Sequence, residues 1–544
     1  MADAAFDAVI LGGGNKALVL AMYLSKYGGM STAIFERRHE VGGGWSSEES
    51  PAPGFIGNTH STTHYEMYHE PVQEDFPDFW EKGARYAYYK GSIGMIFRED
   101  HASLVCYTKH SDPSQERTAS QIAQFSQRDA ETWLTWWERF RAVIRPALME
   151  WQFNPPVPWG TPDALDRLLQ NPAAGLDPMW VLMSGKQVVQ DVFESVELQS
   201  TILRAMSSWG FPVDQTGCGL PMFLALWAWP ETMCIIGGTH SLAHAASKIV
   251  LDSGGKIFNK QEVKKIIIQD GKAVGIMLSD GTEVAARKLV VSTADPRQFC
   301  FDLIGKEFFD PKVIRRVERL DAKYGCITWY SWALREAPNY RASAHNPDVN
   351  EVQWLGLGKR DADEIAREEG YLNAGLLCPD PQLITWGHTL VDKTQAPEGM
   401  HVMGTEATSV LPANKLSEEE WLEFKKSHAE YVMSQMREYT TNIDWDKVIG
   451  CDHITPYDTA NRLKNMAPEG CMTIITHSAT QLGRTRPTPE LAGYTVPGIE
   501  GLYACGGAWH PYTGGNSYQG YNCYKLIAQR FGLRKPWDEK GRPW

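Results

Sequence analysis

No window of this chain reaches about 18 uninterrupted apolar residues, the length a helix needs to cross a bilayer, so no transmembrane helix is expected. The ten cysteines scatter from Cys106 to Cys523 without one C-x-x-C pair, and no histidine cluster has zinc spacing. Reduced thiols and no metal are therefore expected. No basic stripe offsets a net charge of −13, which excludes nucleic acid as a partner. The first residues, Met1 to Asp7, carry acids where a secretory leader carries positive charge, which points to the cytoplasm.

What the chain does have is length and one early motif. Its 544 residues, 43% hydrophobic, can fill two or more domains. Asp7-Ala8-Val9-Ile10-Leu11 reads as a strand buried on both faces, and Gly12-Gly13-Gly14-Asn15-Lys16-Ala17 completes a G-x-G-x-x-A turn. Leu18, Val19, Met22 and Leu24 then recur at helical spacing, and a second strand, Thr32-Ala33-Ile34-Phe35, ends on Glu36. Each part has a physical task in holding a dinucleotide. Gly12 permits the tight turn, Gly14 lets the backbone approach a pyrophosphate, and Ala17 lets helix pack on strand. The helix N-terminus faces the anion, and Glu36 accepts hydrogen bonds from a ribose diol. There is no second G-x-G-x-x-G for a nicotinamide cofactor.

Further along, His60 and His64 stand four apart, a spacing that on a helix would share one face, but no third ligand accompanies them. Residues 85–110 suggest strands of a sheet outside the nucleotide domain. Trp133, Trp136, Trp137 and Phe140 make a helical stripe that reads as core, and residues 164–205 read as a helical lid. The most apolar window, Leu220 to Pro230, is either a buried tunnel wall or a patch that dips into a membrane, and the tunnel wall is favoured. Near the C-terminus a strand ends in Gly506-Gly507, glycines recur at Gly514-Gly515, and a helix is expected from Cys523 to Phe531. A second glycine-bearing strand-to-helix turn suits a dinucleotide held from both ends of one domain, its helix able to stabilise negative charge on the cofactor.

Three blocks carry a family resemblance. After Glu36 comes Arg37 and then Gly42-Gly43-Gly44-Trp45-Ser46-Ser47. In the middle, Gly237-Gly238 leads through a helix to Val263, two Asp-Gly turns and Val290-Val291-Ser292-Thr293-Ala294-Asp295-Pro296. Last comes Leu502-Tyr503 followed by His510-Pro511-Tyr512-Thr513-Gly514-Gly515-Asn516. Together they resemble the phytoene desaturase-like flavoproteins of the amine-oxidase superfamily. Departures from the family pattern are Ala17, the Asn15-Lys16 pair, and Tyr512-Thr513 before the glycines.

The resemblance implies an α/β fold: a Rossmann-type, glutathione-reductase-like FAD-binding domain with an inserted α+β substrate or cap domain. Residues 1–70, 235–300 and 480–535 would form the discontinuous FAD domain, and 71–234 with 301–479 the cap. It implies noncovalent FAD held by Gly12, Gly14, Asn15, Ala17, Glu36, Arg37, Gly43, Gly44, Trp45, Val263, Gly507, Gly515 and Asn516. The activity implied is hydride transfer between an apolar, unsaturated or alicyclic substrate and flavin N5, with oxygen or a quinone as electron acceptor. Redox-neutral double-bond isomerisation is the alternative, and a non-enzymatic prenyl-protein chaperone of the same fold a more distant one. Catalytic candidates are His510, Tyr512 and Gln519, which follow the strand expected beneath the flavin ring, and then His60 and His64. The expected location is cytoplasmic, with peripheral membrane contact as a variant.

Overall fold

A computed structural model describes residues 4–544, so Met1 to Asp3, part of the acidic N-terminus, lie outside the described residues. Ala4–Leu11 is a strand whose last four residues are all buried. It pairs in parallel with Thr32–Phe35 on one side and Glu283–Ser292 on the other. A strand covered on both edges and both faces has no polar side, which is why this segment reads as a continuous apolar run. The helix Asn15–Lys26 follows at once, and every residue from Asn15 to Ser25 is buried. It is sandwiched between the helices His240–Asp252 and Tyr518–Phe531.

That last helix starts at Tyr518 and not at the expected Cys523. Gly520 hides the first turn from a periodicity argument, since glycine is a poor helix former. Its role is close approach: a Cβ at Gly520 would lie 2.4 Å from the carbonyl oxygen of Lys16. The two helices meet at the backbone there.

The first sheet runs Lys256–Phe258, Thr32–Phe35, Ala4–Leu11, Glu283–Ser292, then Lys272–Leu278 and Val263–Gln269, with Leu502–Ala504 also pairing to Glu283–Ser292. Its nucleotide-side pairings are parallel, and Val263–Gln269 to Glu283–Ser292 form an antiparallel meander. Strands from widely separated parts of the chain thus meet in one α/β, Rossmann-type sheet.

A second, mixed seven-stranded sheet runs Val448–Ile454, Thr328–Leu334, His401–Ala407, Leu383–Trp386, Val352–Gly358, Gly91–Phe97, Ser103–Tyr107. Helices cover it. Trp133, Trp136, Trp137 and Phe140 are buried as core. The apolar window forms the helix Gly219–Leu226, and Pro221, Leu224, Ala225 and Ala228 line a small apolar void beside Trp209 and Tyr512. Among the described residues no helix is long and apolar enough to cross a membrane.

Candidate active site

The glycine turn is sterically committed. Gly12 has φ +81°, and a Cβ there would sit 2.5 Å from Thr293 Oγ1. Gly14 precedes the helix without a side-chain cap, and the first turn carries no acid, so its amides are free to meet an anion. The Glu36 carboxylate accepts from the Gly13 amide at 2.7 Å and the Arg38 amide at 2.8 Å, which fixes the acid against the turn. The second glycine motif packs on the first. The Gly42 amide donates to the Gly13 carbonyl at 2.8 Å, and Gly43, at φ +57°, would place a Cβ 2.9 Å from Gly14 Cα.

Both N-terminal motifs are tied to the C-terminal turn. Trp45 Nε1–H donates to the Gly515 carbonyl at 2.7 Å, and Asn15 Nδ2 donates to the Asn516 carbonyl at 3.0 Å. Lys16 Nζ donates to the carbonyls of Gly514 at 2.5 Å and Asn516 at 3.2 Å. Burial, reinforced by the Arg486 charge, pulls the Lys16 ammonium down to about 7. Arg486 is itself wholly buried, donating to the carbonyls of Thr473 at 2.8 Å, Gln481 at 2.9 Å and Gly507 at 3.3 Å. Among the described residues neither cation has a carboxylate partner. Two buried, uncompensated cations beside a free helix N-terminus and a glycine cradle fit an anionic dinucleotide such as FAD.

These elements surround one cavity of about 820 Å³. Of the residues expected at the cofactor, Gly12, Gly14, Asn15, Glu36, Arg37, Gly43, Gly44, Val263, Gly507 and Gly515 line it. Ala17, Trp45 and Asn516 stand behind the wall. Ala17 is buried in helix packing, Trp45 braces Gly515, and the Asn516 backbone carbonyl receives Asn15 and Lys16.

The catalytic candidates divide. Tyr512 and His60 line the cavity. His510 does not: its Nε2 lies 3.1 Å from the Trp151 carbonyl, which turns the ring toward the helical cap, and burial pushes it down to about 4. Gln519 Nε2 donates to the Trp509 and Tyr512 carbonyls at 3.2 Å and 2.8 Å, so it braces the turn. His64 and His60 share no helix face. His64 lies on a short strand, with Nε2 3.1 Å from Ser61 Oγ and Nδ1 2.9 Å from His69 Nε2, and His69 Nδ1 continues to Ser517 Oγ at 3.0 Å. Burial pushes both histidines well down, so this chain of groups is neutral and positions the Gly515 turn. Among the described residues no group of three or more His, Cys, Asp or Glu could hold a metal ion.

Sequence reasoning did not single out the far chamber. Beyond Gly507 and Gly515 the cavity is lined by Tyr65, Tyr68, Trp209, Trp354, Glu406, Met472, Ile474 and His477. The ring nitrogens of these chamber residues are spoken for. Trp209 Nε1 donates to Tyr65 Oη at 3.0 Å, and Trp354 Nε1 to Ser208 Oγ at 3.1 Å. His477 Nδ1 lies 2.9 Å from the Trp209 carbonyl and its Nε2 accepts from the Thr513 amide at 3.3 Å, so the ring is fixed in one tautomer. The chamber therefore presents ring faces, Met and Ile to its contents, with the Glu406 carboxyl as an unpaired polar group among them. Two signals were available in the sequence: an acid inside the apolar strand His401–Ala407, and a lysine on the buried helix that follows the glycine turn.

Comparison with known proteins agrees with this architecture. A family described as "NAD(P)-binding Rossmann-like domain" matches residues 10–79. One of the limonene dehydrogenase subunits of Castellaniella defragrans is 25% identical over 98% of this chain and 96% of its own length. Phytoene desaturase (neurosporene-forming) of Rhodobacter capsulatus is 28% identical over 30% of this chain and 29% of its own. Among solved structures, putrescine oxidase superposes with a TM-score of 0.56 at 14% identity, covering 97% of this chain and 98% of that one, a likeness of fold.

Proposed function

We propose that this phytoene desaturase-like, FAD-dependent oxidoreductase oxidises an apolar, alicyclic or unsaturated small molecule, with a hydride passing from substrate carbon to flavin N5. The observation that carries the reading is the continuity of one cavity, from the glycine cradle at Gly12 and Gly14 to the aromatic chamber of Tyr65, Trp209 and Trp354. Bound FAD supplies a two-electron acceptor. The chain's own residues do the rest. Gly12, Gly14, Glu36 and Val263 would hold the nucleotide half, while Gly507, Gly515 and the Lys16 and Arg486 charges would stabilise negative charge elsewhere on the cofactor. The chamber excludes water by apolar packing and orients the substrate by shape.

The end-to-end match to a relative named limonene dehydrogenase supports an alicyclic substrate class. With a single glycine fingerprint in the chain, oxygen or a quinone is the proposed electron acceptor. The test is anaerobic mixing of oxidised holoprotein with limonene and related alicyclic compounds while flavin absorbance is followed. Bleaching by members of this class, and none by NADPH in the dark, is expected. Stoichiometric dark reduction by NADPH overturns the acceptor assignment, and a flavin that no apolar compound bleaches overturns the substrate class.

A further inference from the structure

Three polar groups at the chamber end have no partner. His60 is 7% exposed and neither ring nitrogen is bonded; Glu406 is 4% exposed with Oε1 unbonded; Trp329 is buried with an unbonded Nε1–H. They converge. The His60 and Trp329 rings are 6.0 Å apart, edge to face, and Glu406 is the cross-strand partner of Trp329, so the two side chains share a sheet face. His60 and Glu406 both line the cavity, and Trp329 stands behind them.

The cations around them pair with other acids. Arg204 Nη1 reaches Glu368 at 3.3 Å while its Nε and Nη2 stay unbonded, Arg462 pairs with Glu48, and Arg38 lies between Glu40 at 3.9 Å and Glu48 at 3.8 Å. Burial pushes Glu406 up to about 8 against the pull of Arg204. Burial, helped by Arg462 and Arg38, pushes His60 down to about 3. At neutral pH the cluster thus offers donors and acceptors and carries no charge.

We propose that His60, Trp329 and Glu406 form a subsite for one oxygen function of the substrate, so that the cavity takes an oxygenated alicyclic or unsaturated compound in preference to the bare hydrocarbon. This rests on the chamber being the substrate site and narrows the class of compound it accepts. A hydrocarbon buried here leaves each polar group unmet, whereas a hydroxyl both donates and accepts. Sites built to bond a hydroxyl reject the analogue lacking it far more strongly than apolar pockets reject a missing methylene.

The test is equilibrium binding of menthol, p-menthane and menthylamine to oxidised holoprotein at neutral pH. Menthol is expected to bind at least about tenfold more tightly than p-menthane, and the ratio to fall toward one in Glu406→Leu and, separately, in His60→Phe. FAD content, measured on each variant, shows that the fold survives, and either variant alone suffices. Equal affinity of menthol and p-menthane for the wild type, no binding of menthol, tighter binding of menthylamine, or a preference that survives in a folded variant overturns the subsite. Flavin bleaching is a separate readout. A flavin bleached equally by alcohol and hydrocarbon contradicts the subsite alone, while a flavin bleached by neither contradicts the redox reading.

Discussion

Lys16 Nζ lies 3.2 Å from the carbonyl oxygen of Asn516, a contact across 500 residues of chain. It joins the first glycine turn to the last, so the two ends of the sequence form one wall of the cavity. The ammonium has only carbonyl partners, Gly514 and Asn516, and burial pulls it down to about 7. A bound anion restores the charge. Cofactor binding should then take up a proton, and FAD affinity should fall as pH rises above about 7. Lys16→Met is expected to weaken FAD binding by roughly 10–100-fold, the scale of one charge-assisted hydrogen bond, and to flatten that pH dependence. Fluorescence titration of apoprotein with FAD at several pH values measures both.

Glu406 makes a second pH prediction. Its folded value, about 8, lies above the usual glutamate value of 4.5, so the folded state binds more protons than the unfolded state between the two. Stability from this group is present below about 4.5 and is lost as pH rises toward 8. Glu406→Gln should therefore gain on the wild type by roughly 1.4 kcal/mol per pH unit within that window and by nothing further above it. Denaturant midpoints of the two holoproteins across the window decide this. A constant difference contradicts it.

Gly520 reverses a familiar rule. In an exposed helix, Gly→Ala stabilises by about 1 kcal/mol. Here the added methyl would lie 2.4 Å from the Lys16 carbonyl oxygen and push two helices apart. Gly520→Ala is expected to destabilise by about 1–3 kcal/mol and to loosen FAD, because the Lys16 contacts move with the helix. A thermal midpoint that rises would contradict the close approach.

How much of this was legible in the sequence depended on how local the cause was. The glycine turn and the acid at Glu36 are short-range signals, Val263 came through the family resemblance, and the structure places Gly12, Gly14, Glu36 and Val263 around one cavity. The chamber is different. Tyr65, Trp209, Trp354 and Glu406 come from separate segments and meet through the register of the second sheet and the helices on it, which no local pattern encodes. His510 shows the same limit. Its place after a glycine-ended strand suggested the flavin face, but the Trp151 carbonyl, contributed by the cap, captures its ring.

We propose the interleaved division of the chain, 1–70, 235–300 and 480–535 against 71–234 and 301–479, as its domain organisation. The first sheet contains Ala4–Leu11, Glu283–Ser292 and Leu502–Ala504 side by side, which supports the interleaving. Limited proteolysis should then yield nicked protein that keeps its FAD through noncovalent association of the pieces. A stable fragment of residues 1–235 that binds FAD alone would favour domains in series.

The central claim, one cavity holding FAD at the glycine turns and an apolar substrate in the aromatic chamber, is tested most directly by following the flavin spectrum of anaerobic purified protein during titration with an alicyclic terpenoid panel. The account predicts yellow protein with one acid-releasable FAD per chain, bleached by members of that panel. Protein that is colourless and takes up no added FAD, or that carries FAD no member of the panel bleaches, would contradict it.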